Sequence, residues 1–316
     1  MATFPLQTAC GVRPVQAQQP LRAVQEIRRT RGACQSHVMR CSDGYYYVVK
    51  FPNNRQGRRV LANELMGASL AERLSLPVAH GEVILVEESL VRCSDEMYQE
   101  TELGRERCQH GLCFGSRFPC DPHETIIYDL IPRTRLKYVS NLRDFWGMLV
   151  FDAWTSNSDD RQVIFVNEKP CSYRAVMIDQ GLCFGGAAWQ LSDNLWKGTY
   201  LYTQAYQEVR GVDDFEPWLT ALEETIDEDV LSDTASAIPP DWYSSNFVAL
   251  TCLLQVLLRR KDELRNRIEV FCSGHGTLFP NWKSRAFGAR HADADKGLDQ
   301  LDAELTPTRR VEPDGR

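Results

Sequence analysis

Two β-rich runs, ACQSHVMRC (33–41) and YYYVVKF (45–51), flank the turn residues Ser42, Asp43 and Gly44, and this pattern predicts a β-hairpin. Strict alternation puts Lys50, the sole cation of the second run, on one face with Val48 and Tyr46. A lysine on such a face either reaches to the sheet edge or meets an anion. The next segment, VLANELMGASLAERLSL (60–76), carries apolar residues at helical spacing: Leu61, Leu65 and Ala68, with Met66, Leu70 and Leu74 one stripe over. Glu64 lies between those apolar positions rather than on the charged face. It is therefore the expected partner of Lys50, because buried charges need partners. Leu76 and Pro77 stop the helix, and EVILVEESLV (82–91) predicts a further strand or hairpin. Upstream, LRAVQEIRRT (21–30) is ambiguous between helix and strand.

Residues 94–124 are polar, Gly-containing and irregular, and predict a long loop of the kind that serves function or moves. Within it GLCFGSR (111–117) could bring backbone amides near a ligand, although glycine is first of all a turn former. IIYDLIP (126–132) predicts a buried strand ending at Pro132, with Asp129 as a charge in an apolar run. NLRDFWGMLVFDAWTSN (141–157) is apolar nearly all round and predicts a buried helix with Asn141 as N-cap. Further helices are expected over 215–226, entered through Asp213 and Asp214, and from about Ser244 to Arg267 or beyond. Residues 1–20 predict a flexible lead-in, and 283–316 a disordered tail.

The densest chemistry lies between the helix ending at Asn157 and the Gly181 that follows Asp179. The apolar, β-branched runs Val163–Val166 and Arg174–Ile178, joined by turn residues 167–172, predict a second hairpin. Asp159 and Asp160 precede it and Asp179 follows it, so the hairpin is expected to bring these carboxylates together with the amides of Asn157 and Gln162. Carboxylates and amides converging in this way make a hard-oxygen site suited to Mg²⁺ on a nucleotide. A base, a hairpin and then an Asp followed closely by Gly is also the order in which protein-kinase-like folds build a phosphoryl-transfer site.

Composition narrows the partners. The 316 residues carry a net charge of −7 with no long basic run, which disfavours direct nucleic-acid binding. No stretch is long and apolar enough to span a bilayer, and the N-terminus lacks a signal-peptide pattern, so a cytoplasmic protein is expected. The 11 cysteines are an odd number without the spacing of a disulfide framework. Cys34, Cys183, Cys252 and Cys272 sit in apolar surroundings and read as small hydrophobes. Cys108, His110, Cys113, Cys120 and His123 lack zinc-finger spacing and read as a loop with incidental thiols, a structural zinc site being the alternative.

With RGACQSHVMRCSDGYYYVVKF, RVLANELMGASLAERLSLP, FDAWTSNSDDRQ and MIDQGLCFG in view, the chain resembles the HipA-like kinases, specifically their branch of standalone bacterial proteins. The resemblance runs from about Leu21 to Phe271. It implies an α+β, two-lobed, protein-kinase-like fold: a small β-rich N-lobe with one helix (21–131) and a mostly helical C-lobe with the catalytic hairpin (132–282). ATP and Mg²⁺ would bind between the lobes, with Ser/Thr phosphorylation of an unknown protein substrate or of the enzyme itself. By position, Asp159 corresponds to the catalytic base with Asp160 as neighbouring alternative, Asp179 to the Mg²⁺ ligand, and Lys50, paired with Glu64, to the phosphate-binding lysine. Gly32, Gln35 and Ser36 fall in the phosphate loop, here with one glycine, and Asp129 falls at the hinge that meets adenine. The family pattern has a second metal-ligand Asn five residues after the base, where this chain has Ile164. Gln162 or Asn157 substitutes there, or the second metal site is lost, and a nucleotide-binding pseudokinase is the alternative function.

Overall fold

The structure, a computed structural model, describes residues 20–30, 32, 34–121, 125–192 and 194–283. The expected lead-in and tail lie outside these residues, apart from Pro20 and Lys283.

The first hairpin forms as the alternation requires, with β2 (His37–Cys41) paired to β3 (Tyr46–Lys50). The ambiguous segment before it is a strand, β1 (Leu21–Arg29), antiparallel to β2 and parallel to β4 (Gly81–Val86). Between β3 and β4 runs helix α1 (Arg59–Arg73), and β4 leads into a short helix α2 (Glu88–Cys93). A continued strand was the expectation for this last segment. A helix wins because it buries Val91 in the sheet's core while Glu88 and Arg92 pair one turn apart on the exposed side.

Residues 94–124 correct the sequence reading more strongly. Within this span, β5 (Tyr98–Thr101) and β6 (Gly104–Arg107) form a hairpin, and β7 (Gly111–Arg117) is a full strand. Strand β7 closes a barrel in the order β1-β2-β3-β7-β4. The alternation of β5 and β6 was masked because β6 is exposed along its whole length, its apolar support coming from Arg29 and Arg105 stacked 4.5 and 4.1 Å from the Tyr98 ring. Gly115 of β7 serves packing rather than a ligand, since a side chain there would collide with Ile84, while Gly111 starts the strand at φ 115° in open space. Cys108 and Cys113 lie in the barrel core with Met39, Tyr47, Val49 and Phe51. Of the expected Cys/His loop, Cys113 is thus strand and Cys108 core, while His110 is exposed and Cys120 part-buried outside any strand. His123 lies outside the described residues, and among those described no three His, Cys, Asp or Glu side chains cluster as a metal site. Cys252, expected in apolar surroundings, is exposed.

The strand expected over 126–132 shrinks to β8 (Ile127–Tyr128), which adds to β9 (Val163–Lys169) and β10 (Ser172–Met177) as a three-stranded sheet. Helix α3 (Asp144–Thr155) is buried at every position from Phe145 to Thr155, as its uniformly apolar sequence demands. Its N-cap position is Arg143, without a side-chain cap, rather than Asn141. Asn141 instead behaves like a strand, its Nδ2 donating to Ala175 O at 3.0 Å and its Oδ1 accepting from Ala175 N at 2.8 Å. Helices α4 (Glu216–Thr225), α5 (Glu228–Ser236) and α6 (Phe247–Gly274) complete the packing. Arg260 of α6 donates to the carbonyls of Ala153 and Trp154, satisfying groups that the end of α3 leaves open. No described helix is long and apolar enough to cross a membrane.

Candidate active site

Antiparallel pairing of Val163 with Met177 closes the base of the β9–β10 hairpin, and Ile178 N adds one more rung to Gln162 O at 3.1 Å. The residues entering the hairpin and those leaving it are thereby neighbours. Asp179 leaves with φ 58°, a left-handed conformation that Asp tolerates better than most residues.

That turn aims Asp179 at the barrel. Lys50 Nζ donates to Asp179 Oδ1 at 2.9 Å and to Glu64 Oε1, while Glu64 Oε2 accepts from Gln180 N at 2.8 Å. Strand β3, helix α1 and the segment after β10 thus meet at one ammonium, and the pairing expected from the two odd charges is present. The approach of α1 to this segment depends on two glycines. A Cβ on Gly67 would stand 2.7 Å from Gln180 Cβ, and one on Gly181 would stand 2.5 Å from Val60 Cγ1 and 2.9 Å from Glu64 Oε1. Gly181→Ala should push the segment off α1, costing about 1–3 kcal/mol of overpacking, measurable as a lower urea midpoint. Asn63 holds the same contact: its Nδ2 faces the carbonyls of Gly181, Cys183 and Gly186 at 2.8, 3.2 and 3.1 Å, and its Oδ1 accepts from Trp189 Nε1 at 2.7 Å.

One ammonium serves two carboxylates. Burial pushes Glu64 up to about 7, against the pull of Lys50. Asp179, part-exposed, is held below the usual carboxylate range, the Lys50 charge outweighing its burial. A carboxyl raised on folding binds more protons in the native than in the unfolded chain between pH 4.5 and about 7. Its contribution is full below the unfolded value and is lost as pH rises through the folded one. The stability of the wild type relative to Glu64→Gln should therefore decline from pH 4.5 to 7, as urea denaturation at stepped pH would show.

On the entering side, Ser156 ends α3 at φ 53° and the loop folds on its own side chains. Asp159 N donates to Asn157 Oδ1 (3.2 Å), Asp160 N to Asp159 Oδ1 (2.9 Å) and Gln162 Nε2 to Asp159 Oδ2 (3.3 Å). Asn157 is buried and its Nδ2 donates to Asp152 Oδ1 at 3.1 Å, whereas Gln162 and Asp160 are exposed. Burial and the Asp159 charge both raise Asp160. Asp159, Asp160 and Asp179 do not gather into a closed cage among the described residues, a correction to the expected convergence. Asp179, part-exposed beside Lys50, still suits Mg²⁺, which takes one or two carboxylates and completes its shell with phosphate oxygens and water.

Two features here escaped the sequence reading. Arg161, fully buried, donates to both Asp152 oxygens, through Nε at 2.8 Å and through Nη2. Its Nη1 reaches Ile178 O at 3.0 Å and Gln180 Oε1 at 2.9 Å, the residues on either side of Asp179. The second is Cys34, which lies beside Lys50, its thiol donating to Gln56 Oε1 at 2.7 Å and pushed by burial to about 11. The expected phosphate-loop side chains are otherwise employed. Gln35 accepts from Glu100 N at 2.6 Å and donates to Glu100 O at 2.9 Å, tying the turn to the β5–β6 hairpin. Ser36 is buried, and Gly32 and Asp129 are exposed.

Residues 24–251 match the family model of the HipA-like kinases. The chain belongs to that family. Among solved structures it is similar to the Golgi casein kinase with Mn/ADP bound (12% identity, 79% of this chain and 72% of that one, TM-score 0.44). It is also similar to the Helicobacter pylori proinflammatory kinase CtkA (13%, 77% and 95%, 0.46) and to hydra Fam20 with sugar (10%, 79% and 85%, 0.46). No curated protein matches. In this HipA-like kinase Ile164 is buried beside Ala79, Val166 and Val176, so that position holds core and no metal.

Proposed function

We propose that this HipA-like kinase binds Mg²⁺-ATP between a β-rich lobe (21–131) and a mostly helical lobe (132–282) and phosphorylates a Ser or Thr hydroxyl of a protein, its own chain included. The observation that carries the reading is the Lys50 ammonium 2.9 Å from Asp179 and braced by Glu64. Lys50 is placed to neutralise phosphate oxygens, and Glu64 keeps its ammonium aimed as the negative charge shifts during transfer. Asp179 would hold Mg²⁺, with the amide oxygen of Asn157 or Gln162 as the further donor. The ion when bound neutralises charge on the phosphates. Asp159, fixed by the Gln162 amide and its own turn, is placed to accept the hydroxyl proton.

The buried Ile164 favours a second reading, a nucleotide-binding pseudokinase that acts as an interaction module without turnover. Incubation with Mg²⁺ and γ-labelled ATP, alone and with lysate, followed by phosphosite mapping, separates the two. The kinase reading expects label on Ser or Thr and a melting temperature raised several degrees by Mg²⁺-ATP. The same thermal shift without any label supports the pseudokinase, and neither shift nor label overturns both.

A further inference from the structure

The turn joining β9 to β10 and the 3₁₀ segment Arg133–Tyr138 line an open, shallow cavity of about 310 Å³, walled by Thr134, Arg135, Lys137, Tyr138, Cys171 and Tyr173. Its wall is held in place by specific bonds. Arg135 Nη1 donates to Tyr173 Oη at 2.7 Å, Ser140 N donates to Tyr173 O at 2.8 Å, and buried Tyr173 meets the Tyr128 ring edge-on at 5.8 Å. Arg135 and Lys137 bring two positive charges to this wall, and among the described residues neither pairs with a carboxylate. The Lys137 ammonium instead lies 5.0 Å from the Tyr138 ring centre. In a chain of net charge −7 this is a local reversal of sign, and an anion is what two like charges on one cavity wall attract.

The surroundings narrow the class of anion. Tyr138 of the lining is an exposed hydrophobic, as are Ile126 and Leu130 on either side of β8 in the chain, and Ile126 O accepts from Asn167 N close to the turn. A free phosphate uses none of that apolar surface, whereas a peptide alternating acidic and apolar residues uses both. The position matters as well. The cavity lies at the far end of β9 from Asp159, about 20 Å away at ~3.3 Å per residue. A segment seated there leaves the Lys50–Asp179 site open.

We propose that this cavity docks an acidic, apolar-interspersed segment of the protein substrate, from which a spacer of about six or more extended residues presents the phosphoacceptor to Asp159. The proposal rests on the kinase reading and names its substrate class.

The test titrates a fluorescein-labelled Glu-Glu-Leu-Glu-Glu-Leu peptide onto the full chain and reads anisotropy. Expected is saturable binding that weakens in 0.5 M salt, where charges are screened beyond ~4 Å, and that falls about tenfold or more, ~1.4 kcal/mol per decade, in Lys137→Glu. That substitution breaks no described hydrogen bond, so it should keep the melting curve and the Mg²⁺-ATP shift of the wild type. Arg135→Glu should show the same loss. No saturable binding, binding unchanged by Lys137→Glu, or an oligo-dT strand that outcompetes the peptide at the same residues would each overturn the proposal. The readout needs no phosphoryl transfer. Peptide binding without label from γ-labelled ATP refutes the kinase reading alone, and label without peptide binding refutes the docking site alone.

Discussion

Asp159→Ala is expected to lower the phosphoryl-transfer rate by about 10²–10⁴, the usual worth of a positioned general base, with nucleotide affinity nearly unchanged. The reason is geometric. Lys50, Glu64 and Asp179, which would meet the phosphates and the ion, belong to a hydrogen-bonded set that does not include Asp159. Among the described residues, Asp159 bonds only within its own turn, to Asn157, Asp160 and Gln162. Asp160→Ala is the matched comparison, because Asp160 is exposed and carries no such support. Single-turnover transfer and an ATP-dependent thermal shift, measured on both variants, decide the point. A loss confined to Asp160→Ala would move the base to that residue.

The largest stability effect should come from Arg161→Ala. Removing the guanidinium leaves the Asp152 carboxylate buried with the Asn157 amide as its remaining side-chain partner. Burial already pushes Asp152 up, and Arg161 is what opposes it. Breaking one side of such a pair costs about 3–5 kcal/mol, read as a drop in the urea midpoint. Asp152→Leu combined with Arg161→Met should recover much of that loss, since two apolar side chains leave no orphaned charge. Activity should not recover with it, because the same guanidinium holds Ile178 and Gln180 around Asp179. Recovery of both would reduce Arg161 to a packing role.

What the sequence made legible was the set of charges out of place. Lys50 in a β-branched run and Glu64 inside an apolar stripe each required a partner, and the two requirements met. Asp152 posed the same demand inside the most apolar helix of the chain and went unread, although an acid in that setting signals a buried cation as clearly. Register was legible where turn residues bounded apolar runs, as in β9–β10, and was lost in β5–β6, where stacked arginines take the place of apolar residues. The pentapeptide GLCFG shows why local pattern stops short. At 111–115 it is barrel strand, while at 181–185 it forms an irregular turn with Phe184 at φ 60°. Only the flanking packing, Ile84 in one case and α1 in the other, separates the two.

The grip of Asn63 has a consequence for chemical intervention. Swinging α1 outward would break the Asn63 bonds to the carbonyls of Gly181, Cys183 and Gly186 and to the Trp189 indole in one step, which couples the helix to the strand-exit segment. Inhibitors that work by wedging such a helix away from its cleft would have to break all of these bonds at once. Compounds that compete directly for the ammonium of Lys50 are the better starting point.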